Sequence, residues 1–251
     1  TFWAGPEMDG ETADLRVLDP NGMEVASLSR SVGAGMNRVV WDLRMTAPPG
    51  SRDRFAFGGP LVLPGSYQVE VKVGDGTSTA DLRVLPDPRT EIPLQDRRAK
   101  LEALEEVDAW VALGREAETR LEDALAGVER VLDDLEEGED PDLRAAADSL
   151  RGTLGRSLER LFRGPPCQAI CGGDPVANRI RRPLRLLGSS NAAPSPNDRL
   201  AMEQAREALD QVVEEVNRIL SQEVAPFREL LLERGYTPLP SLEPLRTRGG
   251  G

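Results

Sequence analysis

Hydrophobic and polar positions follow two different periods along this chain, and the change comes near residue 88. Upstream of it, apolar and polar residues alternate between turn signals, the period of a half-buried strand. Tyr67, Val69, Val71 and Val73 share one face of the run 67–73, and Gln68, Glu70 and Lys72 share the other. Leu15 and Val17 behave alike within 14–18, which runs into Asp19-Pro20-Asn21-Gly22. That tetrapeptide is a turn signal, because Pro presets φ and Asn-Gly tolerates positive φ. Residues 24–28 then read as the return strand of a hairpin. Two further strands are predicted over 37–43, with Val39, Trp41 and Leu43 in phase, and over 79–85, after Gly74-Asp75-Gly76. Between them, 46–60 is rich in Pro, Gly and Arg and reads as a long loop. Five or six short strands over 1–87 predict an antiparallel β-sandwich of immunoglobulin type. No Cys pair lies in this part, so Trp41 replaces an inter-sheet disulfide as the core marker.

Downstream, the period becomes helical. Pro86, Pro88 and Pro93 mark a Pro-rich linker, 88–97. Leu101, Leu104, Val107, Val111, Ala117, Leu121, Leu125, Val128, Leu132 and Leu135 recur mostly every three or four residues, which predicts one long amphipathic helix over about 94–136. Its length at 1.5 Å per residue is roughly 64 Å. Leu143, Ala147, Leu150, Leu154, Leu158 and Leu161 make a second helix, stopped by Gly164-Pro165-Pro166. A short helix over 175–187 is disturbed by Pro183. A third long helix follows, with Asn197 as N-cap, a kink at Pro226 and an end at Gly235. The second and short helices together match the first in length. The expected fold class is therefore α+β: a sandwich over 1–87, then an antiparallel three-helix bundle with a broken middle leg over 98–240, and a flexible tail over 241–251.

Composition narrows the chemistry. The chain has 251 residues, a formal net charge of −12 and no histidine. The acidic balance argues against a nucleic-acid backbone binder and against a polybasic membrane-surface protein. The lack of His excludes every imidazole-based nucleophile system, metal site and proton shuttle within the chain. Aromatics are only 4%, too few for a stacking platform. No stretch of about 18 apolar residues predicts a membrane span. No signal peptide is visible before Thr1, so the chain reads as a fragment or a processed product.

The remaining candidates are weak. Cys167 and Cys171 are four residues apart in a Pro/Gly-rich loop. A local disulfide is open to them in an oxidising compartment. Three residues separate them, which departs from the Cys-x-x-Cys dithiol, and zinc wants four Cys or His ligands. Glu102, Glu105, Glu106 and Glu122 lie in the long helix and read as its solvated face. The acidic run 133–140 lacks the alternating ligand spacing of a calcium loop. Gly33-Ala34-Gly35 has no following Lys-Ser/Thr and is no phosphate cradle. No catalytic, cofactor or metal residue is assigned. Trp3, Trp41 and Trp110 read as core residues, although Phe2 and Trp3 would equally suit a junction with a preceding domain.

Several segments in order carry a resemblance. They are Leu15-Arg16-Val17-Leu18-Asp19 before Asn21-Gly22, then Gly35-Met36-Asn37-Arg38-Val39-Val40-Trp41-Asp42-Leu43-Arg44. Leu63-Pro64-Gly65-Ser66-Tyr67 and Val84-Leu85-Pro86-Asp87-Pro88-Arg89 follow. The helical end adds Ala193-Pro194-Ser195-Pro196, Val224-Ala225-Pro226-Phe227 and Arg234-Gly235. Over about 13–245, the set resembles the C-terminal region of bacterial secreted proteins with a sortilin-like β-propeller of Asp-box repeats, a group often classed as glycosyl hydrolases. The β part alone also looks like the Ig-like domain of flagellar hook-capping proteins. The resemblance implies an N-terminal β-propeller partner and an extracellular or periplasmic location. No Asp-box occurs in this chain, so no catalytic residue carries over. The expected role is a non-catalytic accessory module of such a propeller protein. The alternative is a glycoside hydrolase acting through paired carboxylates.

Overall fold

The computed structural model describes residues 1–46, 59–136, 140–164, 175–236 and 243–247. Cys167 and Cys171 lie outside the described residues. The fold is α+β, with antiparallel sheets preceding the helices. It divides into two compact units, Thr1–Glu102 with Asn191–Ala193, and Ala103–Ser190 with Pro194–Gly251.

The first unit contains β1 (Phe2–Ala4), β2 (Thr12–Leu18), β3 (Glu24–Ser31), β4 (Gly35–Asn37), β5 (Gly65–Val73) and β6 (Gly76–Val84). Four of these form an antiparallel sheet in the order β3-β2-β5-β6, and β1 pairs with β4 in a separate ribbon. The alternation sets the faces. Leu15 pairs with Leu28 and Val71, and Val17 pairs with Ala26 and Val69, so these residues share one apolar face. Asp14, Arg16, Glu70 and Lys72 share the other, where the Arg16 guanidinium bridges Glu24 and Glu70. The β2–β3 turn forms as its residues dictate: the Asp19 carboxylate accepts from the Asn21 and Met23 amides at 2.9 and 2.8 Å, and Gly22 takes φ +81°. Those amide donors hold the Asp19 carboxyl below its ordinary value, the Met23 amide most of all.

The strand expected over 37–43 is shorter than its pattern. Only Gly35–Asn37 is paired, because the second sheet offers β1 alone as a partner and β1 has three residues. The phase persists beyond the pairing as far as Trp41, since Val39 and Trp41 turn inward while Arg38 and Val40 stay exposed, and it fails at Leu43, which is exposed because its backbone turns left-handed there. Trp41 is half-buried rather than enclosed.

The helices are α1 (Leu94–Asp134), α2 (Pro141–Leu158), α3 (Val176–Leu187), α4 (Pro196–Ile219) and α5 (Ala225–Glu233). The core of the second unit is built from their apolar stripes, among them Val107, Leu121, Leu154, Leu209 and Val216. Two sequence expectations need correction here, the N-cap of α4 and the flexible tail, and the two prolines gain detail. The N-cap of α4 is Ser195, not Asn197: its hydroxyl accepts from the Asp198 amide and the Asp198 carboxylate accepts from the Ser195 amide. That reciprocal capping box satisfies two donors and leaves Pro196 in the first turn, where its missing N–H costs nothing. Pro183 is buried inside α3 without ending it. Pro226 does not act alone: a wider π-turn at Leu220–Val224 absorbs the lost hydrogen bond and α5 restarts at Ala225. Within the expected tail, Leu245 is buried, and its amide and carbonyl are clamped by the Asn217 side-chain amide at 2.8 and 2.9 Å.

Candidate functional site

The apolar face of the four-stranded sheet is covered at only part of its area. Toward one end, Ala4, Ala13, Leu15, Val32 and Val73 make a small closed cluster, with Phe2, Met8, Leu28, Val39 and Val71 packed against it. Beside that cluster the face opens into a cavity of about 430 Å³, within the usual size range of ligand clefts. Leu15, Val17, Val69 and Val71 form its floor, and Val39, Trp41 and Leu43 approach from the other side. Ser78, Ala80 and Leu82 of β6 form its outer wall.

Local hydrogen bonds position the aromatic wall. The Trp41 indole N–H donates to the Arg44 carbonyl at 2.8 Å, and the Asp42 carboxylate accepts from the Arg44 amide at 3.1 Å. These bonds close a tight turn in which Leu43 adopts φ +62°, a left-handed conformation that is uncommon and costly for a residue with a branched side chain. The Trp41 ring meets Tyr67 edge-on, with centroids 6.1 Å apart. The Tyr67 hydroxyl donates to the Leu63 carbonyl at 2.7 Å. Burial, reinforced by the Asp19 charge, raises the Tyr67 pKa above its ordinary value.

Trp41→Ala is expected to cost about 2 kcal/mol, less than the 3–5 kcal/mol of an enclosed aromatic. Truncation here merges with an open cavity and leaves no sealed void, so the loss is the half-buried ring area, one hydrogen bond and one edge contact. A denaturant titration measures it; a loss of 3 kcal/mol or more would mean that the ring is fully enclosed in solution.

The β1–β4 ribbon has a second face. Trp3 lies directly opposite Met36 in the register, and Val40 continues the same outward phase. Their exposures are 68%, 73% and 69%, so three large apolar side chains stand in solvent. Phe2, one residue away, turns inward and is half-buried. The expectation that all three tryptophans serve the core therefore fails at Trp3. It holds for Trp110, which is buried with the Arg206 guanidinium 5.9 Å above its ring.

The helical carboxylates lie as a solvated face would place them. Glu102, Glu105 and Glu106 are exposed, and Glu122 is paired with Arg163. One acid escaped the sequence reading. Glu118, one turn before Glu122, is pushed above its ordinary pKa, first by burial and then by the Glu122 charge, while Arg181, Arg163 and Arg115 pull it down. It stands beside a cleft lined by Val111, Gly114, Phe162 and Ile180. Gly114 makes that room, since a Cβ there would meet the Ile180 side chain at 3.5 Å. The cleft holds about 10 Å³, space for one water and none for a sugar. Among the described residues, no group of three or more acidic or Cys side chains is placed to hold a metal ion. Among the same residues, no helix is long and apolar enough to cross a membrane.

No protein-family model, curated protein or solved structure matches this chain.

Proposed function

We propose that this chain is a non-catalytic interaction module, an immunoglobulin-like sandwich followed by a three-helix bundle, which docks onto a sortilin-like β-propeller of Asp-box repeats within a larger secreted bacterial protein. The observation that carries this reading is the outward row of Trp3, Met36 and Val40. Large apolar side chains standing in solvent, two of them directly paired, suit a surface that another domain covers. The segment 35–44 that supplies Met36 and Val40 is one of those on which the family resemblance rests. The sheet supports the sandwich reading, since its order and apolar inner face are those of one leaf and the β1–β4 ribbon stands for a reduced second leaf. The stripes on α1, α2 and α4, with α3 extending the shorter leg, support the bundle.

The test is binding of a separately expressed propeller of this type to the full chain, followed by calorimetry. Measurable affinity is expected, weakened at least about tenfold by Trp3→Arg, with the thermal transition of the variant unchanged because Trp3 is already in water. Absence of binding at any attainable concentration overturns the docking role. Turnover of aryl glycosides or sialosides by the chain, abolished by replacing a single carboxylate, overturns the non-catalytic reading.

A further inference from the structure

The two edges of the four-stranded sheet are treated differently. At the β3 edge, the Thr46 amide donates to the Val25 carbonyl at 2.9 Å and the Thr46 hydroxyl accepts from the Ser27 amide at 2.8 Å. The register of β3 against β2 also shifts between Val17 and Leu18. Local capping and an irregular register are two of the devices that keep an edge from pairing with another chain.

Among the described residues, the β6 edge has neither. Its nine residues pair with β5 in unbroken register from Gly76 to Val84, and residues 76–81 are all exposed. It contains no proline, and no charged side chain points to the apolar face. Gly74 and Asp75 close the β5–β6 hairpin in two residues, with Val73 opposite Gly76. A two-residue turn makes that closing pair a hydrogen-bonded one. The backbone groups of Gly76, Ser78, Ala80 and Leu82 are therefore used toward β5, and those of Thr77, Thr79, Asp81 and Arg83 face outward.

Two of the outward-facing residues carry opposite charge. Asp81 and Arg83 are exposed, lie two residues apart and form no ion pair among the described residues. We infer that the occupant of this edge is a second copy of the chain, paired antiparallel through β6 about a two-fold axis at Leu82.

That register is set by chemistry. It places Asp81 opposite Arg83 of the second copy, and by symmetry Arg83 opposite Asp81, so both unpaired charges find the opposite sign in hydrogen-bonded positions. It places Leu82 against Leu82 and Ala80 against Val84 on the apolar side. Leu85, exposed just beyond the strand, falls opposite Thr79. The two-fold pairing uses both β6 edges at once and leaves the four-stranded sheets only their capped β3 edges, so a dimer and not a fibre results. A single strand pair buries less than the roughly 1,200 Å² of a stable interface, so the dimer is weak and concentration-dependent. This inference is independent of the propeller reading, which uses the β1–β4 ribbon.

Sedimentation equilibrium of the full chain tests it. Wild type is expected to rise from its 27.3 kDa mass toward twice that value at high micromolar concentration. Thr79→Pro removes an outward N–H without touching a bond to β5, so circular dichroism should stay unchanged while the dimer is lost. Arg83→Asp sets like charges opposite one another and should weaken association at least about tenfold. Asp81→Arg combined with Arg83→Asp restores the reciprocal pairing and should recover it. A chain that stays monomeric at every concentration overturns the inference. So does a dimer indifferent to both Thr79→Pro and Arg83→Asp, or one that Arg83→Asp breaks and the swap fails to restore. Should Thr79→Pro misfold, the charge-swap series decides alone.

Discussion

Val17→Asp is expected to unfold the sheet unit at room temperature while leaving the helices intact. Val17 is 2% exposed at the centre of the apolar face, between Ala26 and Val69. A carboxylate there loses its hydration on a face made mainly of valine, alanine and leucine side chains. Several kcal/mol is the usual effect of an unpaired buried charge, a large part of the stability of a small unit. The open cavity beside it gives the side chain one escape, by turning toward water, but that rotation drags β2 out of register with both neighbours. The Trp41 environment reports this unit and the helical circular dichroism reports the other. A variant that keeps its near-ultraviolet signal would show that the cavity hydrates Val17 in solution.

Leu209→Ala is expected to cost about 2–5 kcal/mol and to lower the helical transition alone. Leu209 is 0% exposed on α4, among residues drawn from several helices. Nothing beside it can collapse into the space as water could at the sheet, so a sealed void adds to the lost transfer energy. Calorimetry of the full chain separates the cases: a single transition that falls as a whole would mean that the two units unfold together.

Much of this fold was legible in the residues themselves. Alternation placed Leu15, Val17, Val69 and Val71 on one face, and the three-to-four period placed Val107, Leu121, Leu154 and Leu209 in a helical core. Both signals are local, since each follows from the geometry of a single element. Turn chemistry was equally local, and Asp19 to Gly22 folded as written. Glu118 was not legible. Its neighbours Phe162 and Ile180 come from other elements, and nothing in its own helix marked it apart from the surrounding acids except Gly114.

The sequence by itself determined the strands of the four-stranded sheet, the long helices, their apolar faces and the acidic, His-free chemistry that excludes imidazole mechanisms. It also placed Trp41 inward, through its phase with Val39. Only the tertiary structure decided how well each face is covered. Among the described residues it ended β4 at Asn37, and Trp41 borders an open cavity. It turned Trp3 and Met36 outward together and, among the described residues, capped the β3 edge and not the β6 edge. The physical reason is that periodicity records which side of an element avoids water, a property of the element alone. Whether another part of the chain arrives to cover that side depends on contacts between residues far apart in sequence, and those exist only once the chain is folded.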